Sequence, residues 1–377
     1  AYFIAKFEKD VDMKRLIECG IYEFLLRVSV TDIRPDVFHH MQKTRRDEIN
    51  SWVISRLEND LKDIDGGDFF SKFKDYLQND EICKKERFIL RAASYLATRW
   101  EFNIVYQNSS FLSDIENVRV AVEEELEDYY ELIGVSKIAL NKKIAKIIDL
   151  SGRLRFQKRW AQTPRIPETT VLGHMLVVAI FGYFYLLEVK ACEKRLEFSF
   201  YCALFHDLPE SLTRDIISPV KYGINGLEKI ISEYEMRLID ERILPFVPSQ
   251  MKSEFCYILG IRKSSDGEIK NEFENRIFEN EILPCESSMN IFNEDKFRAI
   301  DGKALKYCDK LAAFIEAGLS ISYGVKSKEL TNGFLQMYKF FKENPKVEGV
   351  NFGEICDDFV KFYELETPSK IAAAHIN

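Results

Sequence analysis

A chain of 377 residues with 46% hydrophobic content, including 29 Phe and 17 Tyr, can build a sizeable core without disulfide or metal staples, and its length suggests two units. Charged residues make up 30% and are intermixed, with a net charge of -8, which argues against nonspecific nucleic-acid binding because that needs a basic face able to release counterions. The eight cysteines form no C-x-x-C pair, the first residues lack a basic segment followed by an apolar one, and no run of about 18 uncharged apolar residues stands out, so a cytoplasmic chain with free thiols and no membrane partner is expected.

Residues 1–145 read as helical throughout and are expected to form a separate N-terminal domain. Over residues 37–63, Phe38, Met41, Ile49, Trp52, Val53, Leu57 and Leu61 recur at three- and four-residue intervals, the mark of one apolar helix face. Gly66 and Gly67 then break the pattern. Residues 87–106 and 117–133 give two more helices, and the acids of 123–131 read as a solvated face. His39 and His40 are neighbours on a helix and point about 100° apart, so they are poorly placed to share a metal. His375 falls in a tail expected to be loosely ordered.

The stretch 142–165 is the most basic in an acidic chain, through Lys142, Lys143, Lys146, Arg153, Arg155, Lys158, Arg159 and Arg165. Such density fits a local anion pocket or a solvated helix face. Pro164 and Pro167 impose an extended loop, and Thr169 or Thr170 can cap the helix that follows. That helix carries His174 near its start and is apolar nearly all round, as a central buried helix is. A second apolar helix, 198–205, ends in His206 and Asp207, and Pro209 turns the chain directly after them. Beyond lie Glu210, Thr213, Arg214 and Asp215, an unusually polar set between two buried segments. Residues 224–246 and 251–263 read as helices, 266–284 as a connecting helix and loop, and 301–322 as a strong helix. On it Asp309 stands beside an apolar stripe, where a carboxylate is costly without a cation or a hydrogen-bond partner.

Taken together, a histidine on one buried helix, a His-Asp pair closing the next and a late Asp on a third resemble the HD-domain metal-dependent phosphohydrolases. The similarity covers roughly 145–325 and is closest to the bacterial HD-domain 5'-deoxynucleotidases. Those enzymes have H-D-x-x-E-x-L-T-x-D followed by P-V-K, matched here by His206, Asp207, Glu210, Leu212, Thr213, Asp215, Pro219, Val220 and Lys221. They also have an Arg-Trp pair upstream of the first histidine, matched by Arg159 and Trp160. Two departures stand out: Arg214 occupies a position where a small residue is usual, and Gly173 precedes His174 in place of a polar residue.

The resemblance implies an all-α fold, an HD-type helical bundle over 146–377 with an additional helical domain over 1–145. Residues 90–98 parallel 305–313, with Ser94 where Asp309 stands, which suggests a degenerate half-copy without its metal site. By the same resemblance His174, His206, Asp207 and Asp309 hold one divalent cation. Two neutral imidazoles and two carboxylates suit manganese, cobalt, iron, nickel or zinc, with magnesium also admissible. Glu210 is implied as general acid or base and Asp207 as a catalytic ligand. Arg159 is implied to hold phosphate, Trp160 to pack on sugar or base, and Asp215 to read the sugar, with Thr213 and Lys221 as further substrate contacts. The implied substrate is a nucleoside 5'-monophosphate, preferably a deoxyribonucleotide, and a homodimer fits the family. Another HD phosphoesterase, acting on a nucleoside triphosphate, a cyclic nucleotide or a guanosine polyphosphate, and a noncatalytic nucleotide sensor remain as alternatives.

Overall fold

Periodic apolar faces close into helices along the whole chain, and the resulting fold is all-α. The computed structural model describes residues 1–31, 33, 35–109, 111–214, 226–264 and 267–365. Two compact units emerge, Ala1–Ala145 and Lys146–Asn377.

The first unit contains α1 (Tyr2–Ala5), α2 (Met13–Ser29), α3 (Pro35–Leu61), α4 (Asp68–Gln78), α5 (Lys84–Ser109), α6 (Ile115–Glu127) and α7 (Ile133–Ala139). Its core is aromatic. Helix α4 buries Phe69, Phe70, Phe73, Tyr76 and Leu77 on one face, and Tyr22 of α2 meets the rings of Phe69, Phe73 and Tyr76 at centroid distances of 5.4, 5.7 and 5.4 Å. The helix predicted over 37–63 is α3, bent at Arg45, where φ is -139°. Ser94, the counterpart of Asp309 in the half-copy reading, lies on the exposed side of α5.

The boundary falls within α8 (Lys143–Arg153), and the second unit is organised around α9 (Val171–Glu188), α10 (Glu193–Phe205) and a later long helix. Between α10 and that helix come α11 (Glu210–Thr213), α12 (Leu227–Arg242), α13 (Ser249–Ile258), β1 (Ile261–Ser264), β2 (Gly267–Lys270), β3 (Arg276–Glu279) and β4 (Glu281–Pro284). The later helix is α14 (Gly302–Ser322), followed by α15 (Lys328–Glu343), the two-residue strands β5 (Lys346–Val347) and β6 (Val350–Asn351), and α16 (Phe352–Phe362). The strands pair as three antiparallel hairpins.

The hairpins correct the expectation of a connecting helix over 266–284. Strands β1 and β2 pair from Ile261 with Lys270 to Ser264 with Gly267, and β3 and β4 from Arg276 with Pro284 to Glu279 with Glu281. Asn280 makes the second turn at φ 66°, a conformation that Asn tolerates better than most residues. Four-residue strands are too short for a period of two to separate them from a helix in sequence.

Thr170 caps α9 by accepting the Gly173 N–H at 3.1 Å, which starts the helix so that His174 falls in its first turn. Among the described residues α9 is the one helix long and apolar enough to cross a membrane. Here it is a core helix, with Val171, His174, Met175, Val178, Ala179 and Tyr183 among its buried residues. Gly182 permits close packing, since a Cβ there would stand 3.0 Å from Leu305 of α14 and 3.9 Å from Ala203 of α10.

The start of α14 is fixed by a buried ion pair. Arg195 of α10 donates through Nε and Nη2 to the two oxygens of Asp301 at 2.8 and 2.6 Å, and the Tyr185 hydroxyl donates to the same carboxylate at 2.7 Å. Both members of the pair are fully buried. Gly302 follows, where a Cβ would lie 2.3 Å from the Glu274 carbonyl oxygen, so the first turn of α14 can sit only against that loop without a side chain. Removing one partner of such a pair leaves the other charge uncompensated, which costs about 3–5 kcal/mol. Asp301→Ala is therefore expected to lower stability by about that amount in urea denaturation; a loss below about 1 kcal/mol would show that Arg195 finds another counter-charge.

Candidate metal centre

Three buried or half-buried side chains, His174, His206 and Asp207, bring one ligand atom each within 4.8 Å of one another. The ends of two helices place them. His174 projects from the first turn of α9, and α10 stops at Phe205, after which Leu208 N–H bonds Phe205 O and Glu210 N–H bonds Asp207 O, both at 3.0 Å. These consecutive tight turns, with Pro209 between them, present His206 and Asp207 side by side, as the sequence predicts. The two imidazole centroids are 5.7 Å apart. Asp309 of α14, the fourth residue expected from the sequence, stands outside that threesome but beside it, with Oδ1 2.9 Å from His174 Nε2.

The donor set fits a divalent cation. His206 Nδ1 lies 2.7 Å from Ala203 O, so it must carry the hydrogen, which leaves the Nε2 lone pair as the ring's free donor. Nε2 is buried and makes no hydrogen bond of acceptable geometry, although Asp207 Oδ2 is only 3.0 Å away. A buried nitrogen with nothing but a badly angled carboxylate beside it is costly unless a further group engages it. Both aspartates are held as anions. Burial opposes this, but His206, His174 and Arg159 hold Asp207 well below the usual carboxylate range, and the His174 bond does most to lower Asp309. Mixed imidazole and carboxylate ligation of this kind suits first-row divalent metals.

A fifth residue dominates the surroundings, and the sequence reading passed over it. Glu316, two helical turns beyond Asp309 on α14, sits with Oε1 3.0 Å from His174 Nδ1. Its other oxygen, Oε2, accepts from Arg159 Nε at 3.1 Å and Trp160 Nε1 at 3.0 Å, and pairs with Arg165 Nη1 at 3.2 Å. Burial alone would raise this carboxyl, but Arg159, His174 and Arg165 outweigh it and bring it from an ordinary 4.5 to about 2. The signal available in sequence was a carboxylate seven residues after Asp309, set between Ile315 and Ala317 in an apolar helix.

The remaining site residues are placed as follows. Arg159 is held at Nε by Glu316, and its Nη1 lies 3.9 Å from Asp207 Oδ2, so it stands at the edge of the cluster. Trp160 turns its indole N–H to Glu316 and packs its ring on α15, where a Cβ on Gly333 would stand 2.8 Å from the ring. Glu210 opens α11 one turn from Asp207, with its carbonyl accepting from Gln157 Nε2 at 3.1 Å. Thr213 ends α11 half-buried, and Arg214 follows exposed at φ 63°. Asp215 and Lys221, like Pro219, Val220 and His375, lie outside the described residues. One further neighbour was not foreseen. Phe273 packs its ring 5.6 Å from that of His206, on a loop that Arg276 fixes by donating to Glu272 O at 3.0 Å and Glu274 O at 2.8 Å.

Residues 151–338 match the family model described as HD domain. Among solved structures, an HD-domain phosphohydrolase from Listeria innocua is similar at 18% identity, over 58% of this chain and 90% of that one, with a TM-score of 0.44. Comparison with curated proteins returned no match.

Burial opposes a charge on His206, but the adjacent Asp207 carboxylate outweighs it and lifts the ring from 6.5 to about 9 in the metal-free chain. A raised value means that the protonated ring stabilises the fold fully below 6.5, and that this contribution is lost as pH rises through about 9. A cation that takes Nε2 must displace the proton, so metal binding at pH 7 is expected to release about one proton and to weaken about tenfold per pH unit as pH falls. Calorimetry in buffers of different ionisation enthalpy reads this directly; binding without proton release would contradict the placement of the cation on His206.

Proposed function

We propose, for a chain whose residues 151–338 match the HD-domain family model, that it is a metal-dependent phosphohydrolase and, more closely, a 5'-nucleotidase releasing phosphate from nucleoside 5'-monophosphates, with deoxyribonucleotides preferred. The observation that carries the reading is the cluster itself, His174, His206 and Asp207 with one ligand atom each within 4.8 Å of one another.

His174, His206, Asp207 and Asp309 would hold the cation, whose chemistry there is to acidify a water and to screen the charge of a phosphate. The protein's own groups supply the rest. Glu210, on the turn directly after His206 and Asp207, is proposed to take a proton from the attacking water or to return one to the leaving 5'-oxygen. Arg159, whose guanidinium plane is held through Nε on Glu316 at the rim of the cluster, is proposed to bind a phosphate oxygen. Asp215, Thr213 and Lys221 remain the proposed sugar and anion contacts by resemblance, and Trp160 is proposed to act through Glu316 more than through an open ring face. The small-molecule substrate agrees with the net charge of -8, which disfavours a polyanionic one.

The test is phosphate release from a panel of deoxy- and ribonucleoside 5'-monophosphates with Mn²⁺ or Co²⁺. The expected outcome is deoxy-selective release that Asp207→Ala abolishes and that Glu210→Gln lowers by about 10²–10⁴ in kcat. Release only from triphosphates or cyclic nucleotides would move the reading to another HD phosphoesterase, and none from any of them would favour a nucleotide sensor.

A further inference from the structure

We infer that Phe273 is the aromatic platform on which the nucleobase of the substrate packs. The inference rests on reading the cluster as a nucleotide site and adds a recognition residue to it. The aromatic that the sequence offered for that duty is engaged elsewhere, because Trp160 gives its N–H to Glu316 and lays its ring against α15 at Gly333. Phe273 is half-buried, with its ring centroid 5.6 Å from that of His206.

A single half-exposed phenylalanine is ordinary on any protein. The loop that carries this one sets it apart. Buried Arg276 spreads its guanidinium over the backbone there: Nη1 donates to Asn271 O, Glu272 O and Glu274 O at 3.5, 3.0 and 2.8 Å, while Nε and Nη2 reach Tyr257 O and Ile258 O, both at 3.0 Å. Two glycines allow the loop its close seat. A Cβ on Gly260 would lie 2.4 Å from Asn271 O, and one on Gly302 would lie 2.6 Å from the Phe273 carbonyl carbon. The polar side chains beside Phe273 are committed to the loop's own structure. Glu272 pairs with Lys270 at 2.9 Å, Glu274 with Arg262 at 2.8 and 3.0 Å, and Asn275 Oδ1 accepts the Lys303 N–H at 2.8 Å. The loop thus spends its polar groups on holding still and sets an aromatic ring beside the cluster.

A ring fixed in this way is ordered before a ligand arrives, so covering its exposed part costs little entropy. Every base has a π face, and stacking on an aromatic side chain needs no hydrogen-bond match. A phenylalanine that only packed on His206 would make the same ring contact, but would not distinguish a ligand with a base from one without.

The test uses the full chain loaded with Zn²⁺ and two probes that cannot be hydrolysed, the methylene phosphonate of deoxyadenosine and the same phosphonate of base-free deoxyribose. The parent is expected to bind the first more tightly than the second. Phe273→Ala should weaken the first about 5- to 150-fold, the range for an aromatic side chain stacked on one base. Binding of the base-free probe, and of Zn²⁺ against a chelator, should stay unchanged, and Phe273→Trp should keep the preference for the base-bearing probe. Equal loss of both probes, loss of Zn²⁺ with them, or no loss of either overturns the assignment, as does a parent that binds both probes alike or neither. Should Phe273→Ala not fold, Phe273→Leu, which keeps the apolar bulk, carries the same comparison. Phosphate release is not read. A chain that binds the base through Phe273 yet hydrolyses no monophosphate sinks the nucleotidase reading alone, and one that hydrolyses them with no loss of binding in Phe273→Ala sinks this assignment alone.

Discussion

The geometry of the second unit hangs on one buried carboxylate. Glu316 is 9% exposed at its side chain, and an ion taken that far out of water costs several kcal/mol unless partners offset it. Its partners come from two places in the chain, Arg159, Trp160 and Arg165 from the basic loop after α8 and His174 from the start of α9, and they tie both to α14, which carries Glu316. Each partner is costly without the others. Arg165, almost fully buried, also donates to Pro167 O at 2.6 Å, so the loop is drawn down onto α14 as the charges pair. Satisfying the carboxylate and aligning His174 are one event.

A second constraint sets the register of α14 against α10. The Arg195–Asp301 pair holds the first turn of α14, and Glu316 holds its fifth, with Asp309 between them. A helix gripped on both sides of Asp309 has little freedom to slide or rotate. This matters for chemistry because a metal centre tolerates only a few tenths of an ångström in ligand position. His206 is fixed differently, by its own turn, through the Nδ1 bond to Ala203 O. One histidine is oriented by a distant carboxylate and the other by a carbonyl three residues earlier.

Much of this was legible in the sequence, for definite reasons. His174, His206, Asp207 and Asp309 stood out because polar, metal-capable residues at the ends or inside of apolar helices need a partner, and their grouping as one ligand set came from the resemblance to HD-domain phosphohydrolases. The helices themselves followed from their periodicity and from the threonine and proline signals at 164–170. Glu316 was not read, although the same cost argument applies to it, because its three donors lie about 150 residues earlier in the chain. The Arg159–Trp160 pair shows the complementary limit. Its presence was visible, but which way a guanidinium and an indole turn depends on what a distant helix offers them, and here both turn to Glu316. The hairpins at 261–284 escaped because strands of four residues carry too little pattern to distinguish.

The central claim is that one cation sits among His174, His206, Asp207 and Asp309. Crystals grown with Zn²⁺ and measured at its absorption edge test it most directly. The account requires one strong anomalous peak per chain, about 2.0–2.2 Å from Nε2 of both histidines and from a carboxylate oxygen of each aspartate. A fully occupied peak that avoids His206 Nε2, or a cluster that stays empty at saturating Zn²⁺, would contradict it.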